Sequence, residues 1–138
     1  MGLILEDPKL EIEWRIRLNT FLDLFPTERL HQVTPTYYTA ACTSHNGLRC
    51  MIGFHFGDFP LQANEPLLYD IEFFRKSYPD LKVSFEDFQN HFEKVYGAAE
   101  ITGHAEDFPS HRWIIPEAEI KHSVQDRFGL EEHLHIFC

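Results

Sequence analysis

Asn46-Gly47, set between two runs of β-forming residues, constrains the fold of this chain more than any other pair. A type I′ turn needs positive φ at both central positions, which Asn tolerates and Gly accepts freely. The flanking arms, within a stretch from Thr36 to Phe59, are rich in Tyr, Thr, Ile and Phe, residues that fill a pleated, half-buried surface. In the second arm Leu48, Cys50, Ile52, Phe54 and Phe56 alternate with Arg49, Met51, Gly53, His55 and Gly57, so one face is apolar. A two-residue loop pairs His45 with Leu48 and Thr43 with Cys50, which puts Cys42 and Cys50 on opposite faces; a three-residue loop would set them opposite each other. The two-residue register is expected, with free thiols. Gly53 in the second arm makes room for an aromatic neighbour or marks a bulge.

Something must cover the apolar face, and the flanking segments supply helix patterns. Asp7-Pro8 is a favourable N-cap and first turn, and Leu10, Trp14, Leu18, Phe21 and Phe25 follow at spacings of four and three until Pro26. The same stretch also admits a strand, because Leu10, Ile12, Trp14, Ile16 and Leu18 alternate with charges. Continuation to Phe25 favours the helix. A second helix is expected from Pro66, with Leu67, Ile71, Phe74 and Tyr78 on one stripe and Pro79 as its end. The third has Ser84 as cap, Phe85, Phe88, Phe92 and Val95 as stripe, and Gly97 as stop. Its phenylalanines are expected to pack on Leu48, Ile52 or Phe54. Residues 98–110 read as a loop, and Arg112–Ile115, Glu119–Gln125 and His133–Phe137 as strands. The expectation is one α+β domain over residues 1–138: a mainly antiparallel sheet of about five strands (hairpin 36–56 plus C-terminal strands 112–137) with three helices packed on it.

Charge and composition restrict the function classes. Twelve Lys and Arg against twenty-two Asp and Glu leave a formal net charge of −10. Such a surface repels phosphate backbones and anionic membranes, so neither nucleic acid nor membrane is expected as a partner. The opening Met-Gly-Leu-Ile-Leu-Glu-Asp-Pro lacks the cationic region of a secretory leader, and three cysteines without secretory context suggest reduced thiols in a cytoplasm. The sequence holds no phosphate loop, no Gly-x-Ser-x-Gly and no paired zinc motif, so no cofactor and no enzymatic role is expected.

Two constellations remain. Glu100, Glu106, Asp107, Glu117 and Glu119 lie close together, with Phe108 and Trp113 beside them. An acidic rim around exposed aromatics is the form of an interface for a basic protein, whereas a solvated loop with Trp113 in the core is the plainer reading. His133-x-His135 places two imidazoles on one strand face, and His122 on the preceding strand could join them as a divalent-metal trio. An exposed polar face opposite Leu134 and Ile136 accounts for the same pattern.

The small size, acidity, lack of catalytic motifs and closing His111-Arg112-Trp113…Ile120…Arg127-Phe128-Gly129…Leu134 pattern together resemble the cytoplasmic immunity proteins of bacterial polymorphic toxin systems. That resemblance implies a toxin inhibitor working by protein–protein interaction, whose acidic surface occludes the active site of a basic partner such as a secreted toxin domain. The alternatives are a small metal-dependent or other enzyme using His122, His133 and His135, and a regulatory or adaptor domain.

Overall fold

Alternation between buried and exposed side chains runs through nearly every segment, and it builds one sheet. The computed structural model describes residues 1–57, 65–75, 80–105, 108–127 and 129–138, the side chains of His104 and Ala105 excepted. Among these residues ten strands form a single sheet: β1 (Gly2–Asp7), β2 (Lys9–Glu13), β3 (His31–Thr34), β4 (Tyr37–Ser44), β5 (Leu48–Gly57), β6 (Leu67–Phe74), β7 (Glu100–Ala105), β8 (Phe108–Ile115), β9 (Ala118–Asp126) and β10 (Leu130–Phe137). All neighbours are antiparallel, in the order β2-β1-β4-β5-β6-β10-β9-β8-β7, with β3 added on β4. Two helices, α1 (Leu18–Leu24) and α2 (Leu81–Tyr96), accompany a 3-10 turn at Thr27–Arg29.

This overturns the expected five strands and three helices. Asp7-Pro8 is not a helix start but the turn, with a cis peptide bond, between β1 and β2. Leu3 pairs with Ile12 and Leu5 with Leu10. Leu3, Leu5 and Ile12 are fully buried while Ile4 faces solvent. The period-two reading of the N-terminal run therefore holds through Glu13, and only Leu18–Leu24 becomes helix. The stripe from Leu67 to Phe74 is likewise a strand, because β6 sits between β5 and β10 and buries Leu68, Ile71 and Phe73. Such short apolar runs satisfy both periodicities, and burial between two partners decides. Tyr78 and Pro79 lie outside the described residues. Residues 100–105 pair with β8 instead of forming a loop.

The hairpin register also differs. Ser44 pairs with Leu48 and Cys42 with Cys50, so the loop has three residues, His45, Asn46 and Gly47, all with positive φ (46°, 60° and 86°). The reason is tertiary. His45 turns inward and is 5% exposed. Its ring stacks on Phe92 at 4.0 Å and bonds the Ser44 hydroxyl at 2.7 Å and the Tyr96 hydroxyl at 3.0 Å. From outside, the Glu6 carboxylate accepts the Asn46 and Gly47 N–H groups at 3.0 and 2.8 Å. A two-residue turn would forfeit both anchors.

α2 starts three residues before the expected cap. Asp80 accepts from the Lys82 N–H at 2.9 Å, Ser84 is buried within the helix, and Gly97 ends it with φ of 84°. Phe85, Phe88 and Phe92 are buried, whereas Val95 is exposed. The ring contacts of Phe92 run to Phe73, Trp113 and Tyr96, besides the turn histidine. Phe21 of α1 packs on Tyr38, Phe54 and Phe56. Both helices therefore lie on the same face of the sheet.

Candidate functional site

Because directly paired residues of antiparallel strands point to one face, the registers define what the face opposite α1 and α2, helix-free among the described residues, displays. One row crosses six strands: Tyr37, His55, Asp70, Phe137, Glu119 and Ile114. The next crosses eight: His31, Thr39, Gly53, Glu72, His135, Lys121, Arg112 and Glu100. Phe108, near the other end of β8, shares the parity of Arg112 and Ile114 and is 41% exposed; Ile114 is 72% and Phe137 37% exposed.

The centre of this face is hydrogen-bonded diagonally. His55 lies opposite Asp70 but reaches Glu72, its Nε2 at 3.3 Å from Oε1. His135 lies opposite Glu72 but bonds Asp70, Nδ1 to Oδ1 at 2.8 Å. The Tyr37 hydroxyl donates to the same Glu72 oxygen at 2.7 Å, with its ring stacked on His55 at 4.1 Å. The two hydrogen bonds hold the Glu72 carboxyl below its ordinary pKa, the His55 bond foremost, against the opposing effect of burial. Burial disfavours a charged His135, yet the Asp70 bond and the nearby carboxylates outweigh it and raise its pKa. Burial first, then Glu72, pushes the Tyr37 phenol up. The result is a set of donors and acceptors oriented by one another before anything binds.

Gly53 makes the arrangement possible. A Cβ there would lie 2.9 Å from Glu72 Oε1 and 3.0 Å from Tyr37 Cε1. The expectation that Gly53 accommodates an aromatic neighbour is met by Tyr37, together with a carboxylate. Gly53→Ala should push Glu72 off the Tyr37 hydroxyl and cost about 1–3 kcal/mol in denaturant unfolding, the usual range for a charge-assisted hydrogen bond. A spectroscopic titration of Tyr37 should then show its phenol pKa moving back toward 10.0. An unchanged titration would mean that Glu72 does not set it.

The expected acidic rim is divided by the fold. Glu100, Phe108 and Glu119 do share the helix-free face, but Trp113 is on the other side, 4% exposed, donating its indole N–H to the Gly97 carbonyl at 2.8 Å. Glu117 occupies the β8–β9 turn, and Glu106 and Asp107 lie outside the described residues. The acids on the face are compensated. Arg112 bonds Glu100 at 2.8 Å and approaches Glu119 to 3.7 Å, with Lys121 at 3.9 Å from the same carboxylate.

The histidine trio does not assemble. His122 pairs with Leu134, so it faces the core, while His133 and His135 project from the opposite face. His122 is fully buried beneath α2, stacked on Phe85 at 3.8 Å, with Nδ1 2.7 Å from Gln89 Oε1 and Nε2 2.6 Å from Glu132 Oε2. Ser84 donates to the other oxygen of Glu132. This network ties α2 to β9 and β10. Burial lowers the His122 pKa against the opposing pull of Glu132. His133 takes Glu131 at 3.2 Å, and His135 is committed to Asp70. Among the described residues no group of three or more His, Cys, Asp or Glu side chains is arranged to hold a metal ion.

No family model, curated protein or solved structure matches this chain. Tyr37, His55, Asp70 and Glu72 were missed as site residues. Asp70 and Glu72 alternate with Ile71 and Phe73, and a strand reading of that run would have placed both carboxylates on one face. Among the described residues no helix is long and apolar enough to cross a membrane.

Proposed function

We propose that this protein is a non-enzymatic binding protein that takes a protein partner on the helix-free face of its sheet. The observation that carries this reading is the pair of cross-strand rows. Ile114 and Phe137 stand exposed in one row, with Phe108 exposed on the same face, and the hydrogen-bonded side chains of the two rows are already oriented by their neighbours. Exposed rings supply contact area at small entropic cost, and preset charge pairs supply register and specificity. The formal charge of −10 favours a basic partner. Occlusion of a toxin, as in the cytoplasmic immunity proteins that the sequence resembles, is the form of binding that this acidity and this rigid sheet suit best.

The test is association kinetics with the product of the adjacent gene. Phe137→Ala and Phe108→Ala should speed dissociation at least tenfold if each anchors the contact, equivalent to about 1.4 kcal/mol. Glu119→Lys and Glu131→Lys should slow association at low salt and leave dissociation nearly unchanged. No binding to that product, or kinetics indifferent to all four changes, would remove this face as the site.

A further inference from the structure

The three-residue loop has a second result, on the covered side of the sheet. Cys42 and Cys50 become direct partners on adjacent antiparallel strands, with both side chains on the same face, 4% and 8% exposed. Direct antiparallel partners have Cα atoms about 4.5–5.5 Å apart, inside the range that a disulfide spans. Both are free thiols. We propose that Cys42 and Cys50 are a two-electron redox pair, closed to a cross-strand disulfide by a peroxide.

The chemistry balances with the peroxide as sole co-reactant. One sulfur attacks the O–O bond, becomes a sulfenic acid and releases water. The second sulfur then attacks the first, and the departing hydroxide leaves as water with the remaining thiol proton. The pair is oxidised by two electrons, and one peroxide becomes two waters. Cys138 is poorly placed to compete, since it lies at the far end of β10 with its Sγ 3.5 Å from the Leu68 carbonyl.

The surroundings set the rate. Guanidinium groups bind the backbone beside each thiol: Arg29 donates to the Ala41 carbonyl at 2.9 Å, and Arg75 to the Arg49 carbonyl at 2.9 Å. These cations favour the thiolates, but burial dominates and pushes both thiols up to about 12. The closed sheet therefore protects the pair, because thiolate is the reactive form. Oxidation proceeds when the β4–β5 hairpin loosens, and the bond then staples that hairpin.

Arg49 gives a direct readout, because trypsin cleaves between the two cysteines. The native full-length protein is exposed to about a tenfold excess of hydrogen peroxide, alkylated in denaturant and analysed intact and as a digest. The expected product is a monomer roughly 2 Da lighter. Its alkylatable thiols fall from three to one, and peptides 30–49 and 50–75 stay linked until reduction. Cys138→Ser should retain the link, and Cys42→Ala should lose it. Three surviving thiols, a sulfinic acid on Cys42 or Cys50, or disulfides made chiefly through Cys138 would overturn the assignment.

Discussion

Replacing Phe92 by Ala should lower the unfolding free energy by about 3–5 kcal/mol, the range for a large aromatic removed from a packed core. Phe92 is fully buried, and its ring joins four others contributed by different elements. These are the turn residue His45 at 4.0 Å, Phe73 of β6 at 5.1 Å, Tyr96 of the same helix at 5.7 Å and Trp113 of β8 at 5.9 Å. Its neighbours are held on a hydrogen-bonded sheet and collapse little into the space left behind. The melting temperature should fall on the order of 10–20 °C. Val95→Ala, on the same helix but exposed, should change stability by less than about 0.5 kcal/mol. Chemical denaturation of both variants checks this. Similar losses in the two would mean that α2 does not dock through Phe92.

Acid should destabilise the fold well above the carboxylate range, through His45. Burial pushes its pKa from 6.5 down to about 3, with the nearby His91 adding in the same direction. The neutral ring has one donor and one acceptor, which the Ser44 and Tyr96 hydroxyls satisfy. Below pH 6.5 the unfolded chain binds a proton that the folded chain excludes. Stability is therefore complete above the ordinary histidine pKa and declines as pH falls toward the folded value. One such group is worth about 1.4 kcal/mol per pH unit, or roughly 2 kcal/mol between neutrality and about pH 5. His122, also lowered by burial, acts in the same direction. His45→Asn keeps a residue that tolerates positive φ and removes the titration. Its overall stability should be lower, but its slope between neutrality and about pH 5 should be shallower by one proton. Parallel slopes for the variant and the wild type would show that His45 does not carry the effect.

Local signals were legible where one periodicity had no competitor. The phenylalanine stripe of α2 and its stop at Gly97 were readable because spacings of three and four cannot be satisfied by a strand. The strands over residues 112–137 were readable from their alternation and from the breaks at Pro116 and Gly129. The outward placement of Phe108 follows from the same alternation once β8 is extended to it. By contrast, Leu10 to Leu18 and Leu67 to Phe74 satisfied both periods. Choosing helix for the second run concealed Asp70 and Glu72, and with them the centre of the candidate face.

By itself the sequence determined the acidic balance, the alternation of the hairpin's second arm and of the strands over residues 112–137, the helix that closes over the sheet and the presence of a turn at Asn46-Gly47. These are local properties, expressed wherever the segment is placed. Only the tertiary structure decided the register of that turn, where the burial of His45 against Phe92 and the Glu6 clasp outweighed the two-residue preference of Asn-Gly. It also decided which strands are neighbours, and so it brought His55 of β5 and His135 of β10 onto the carboxylates of β6, sent His122 away from His133 and His135, and set Cys42 opposite Cys50. A shift of one residue reverses every side chain in a strand, and that choice rests on contacts between residues distant in sequence.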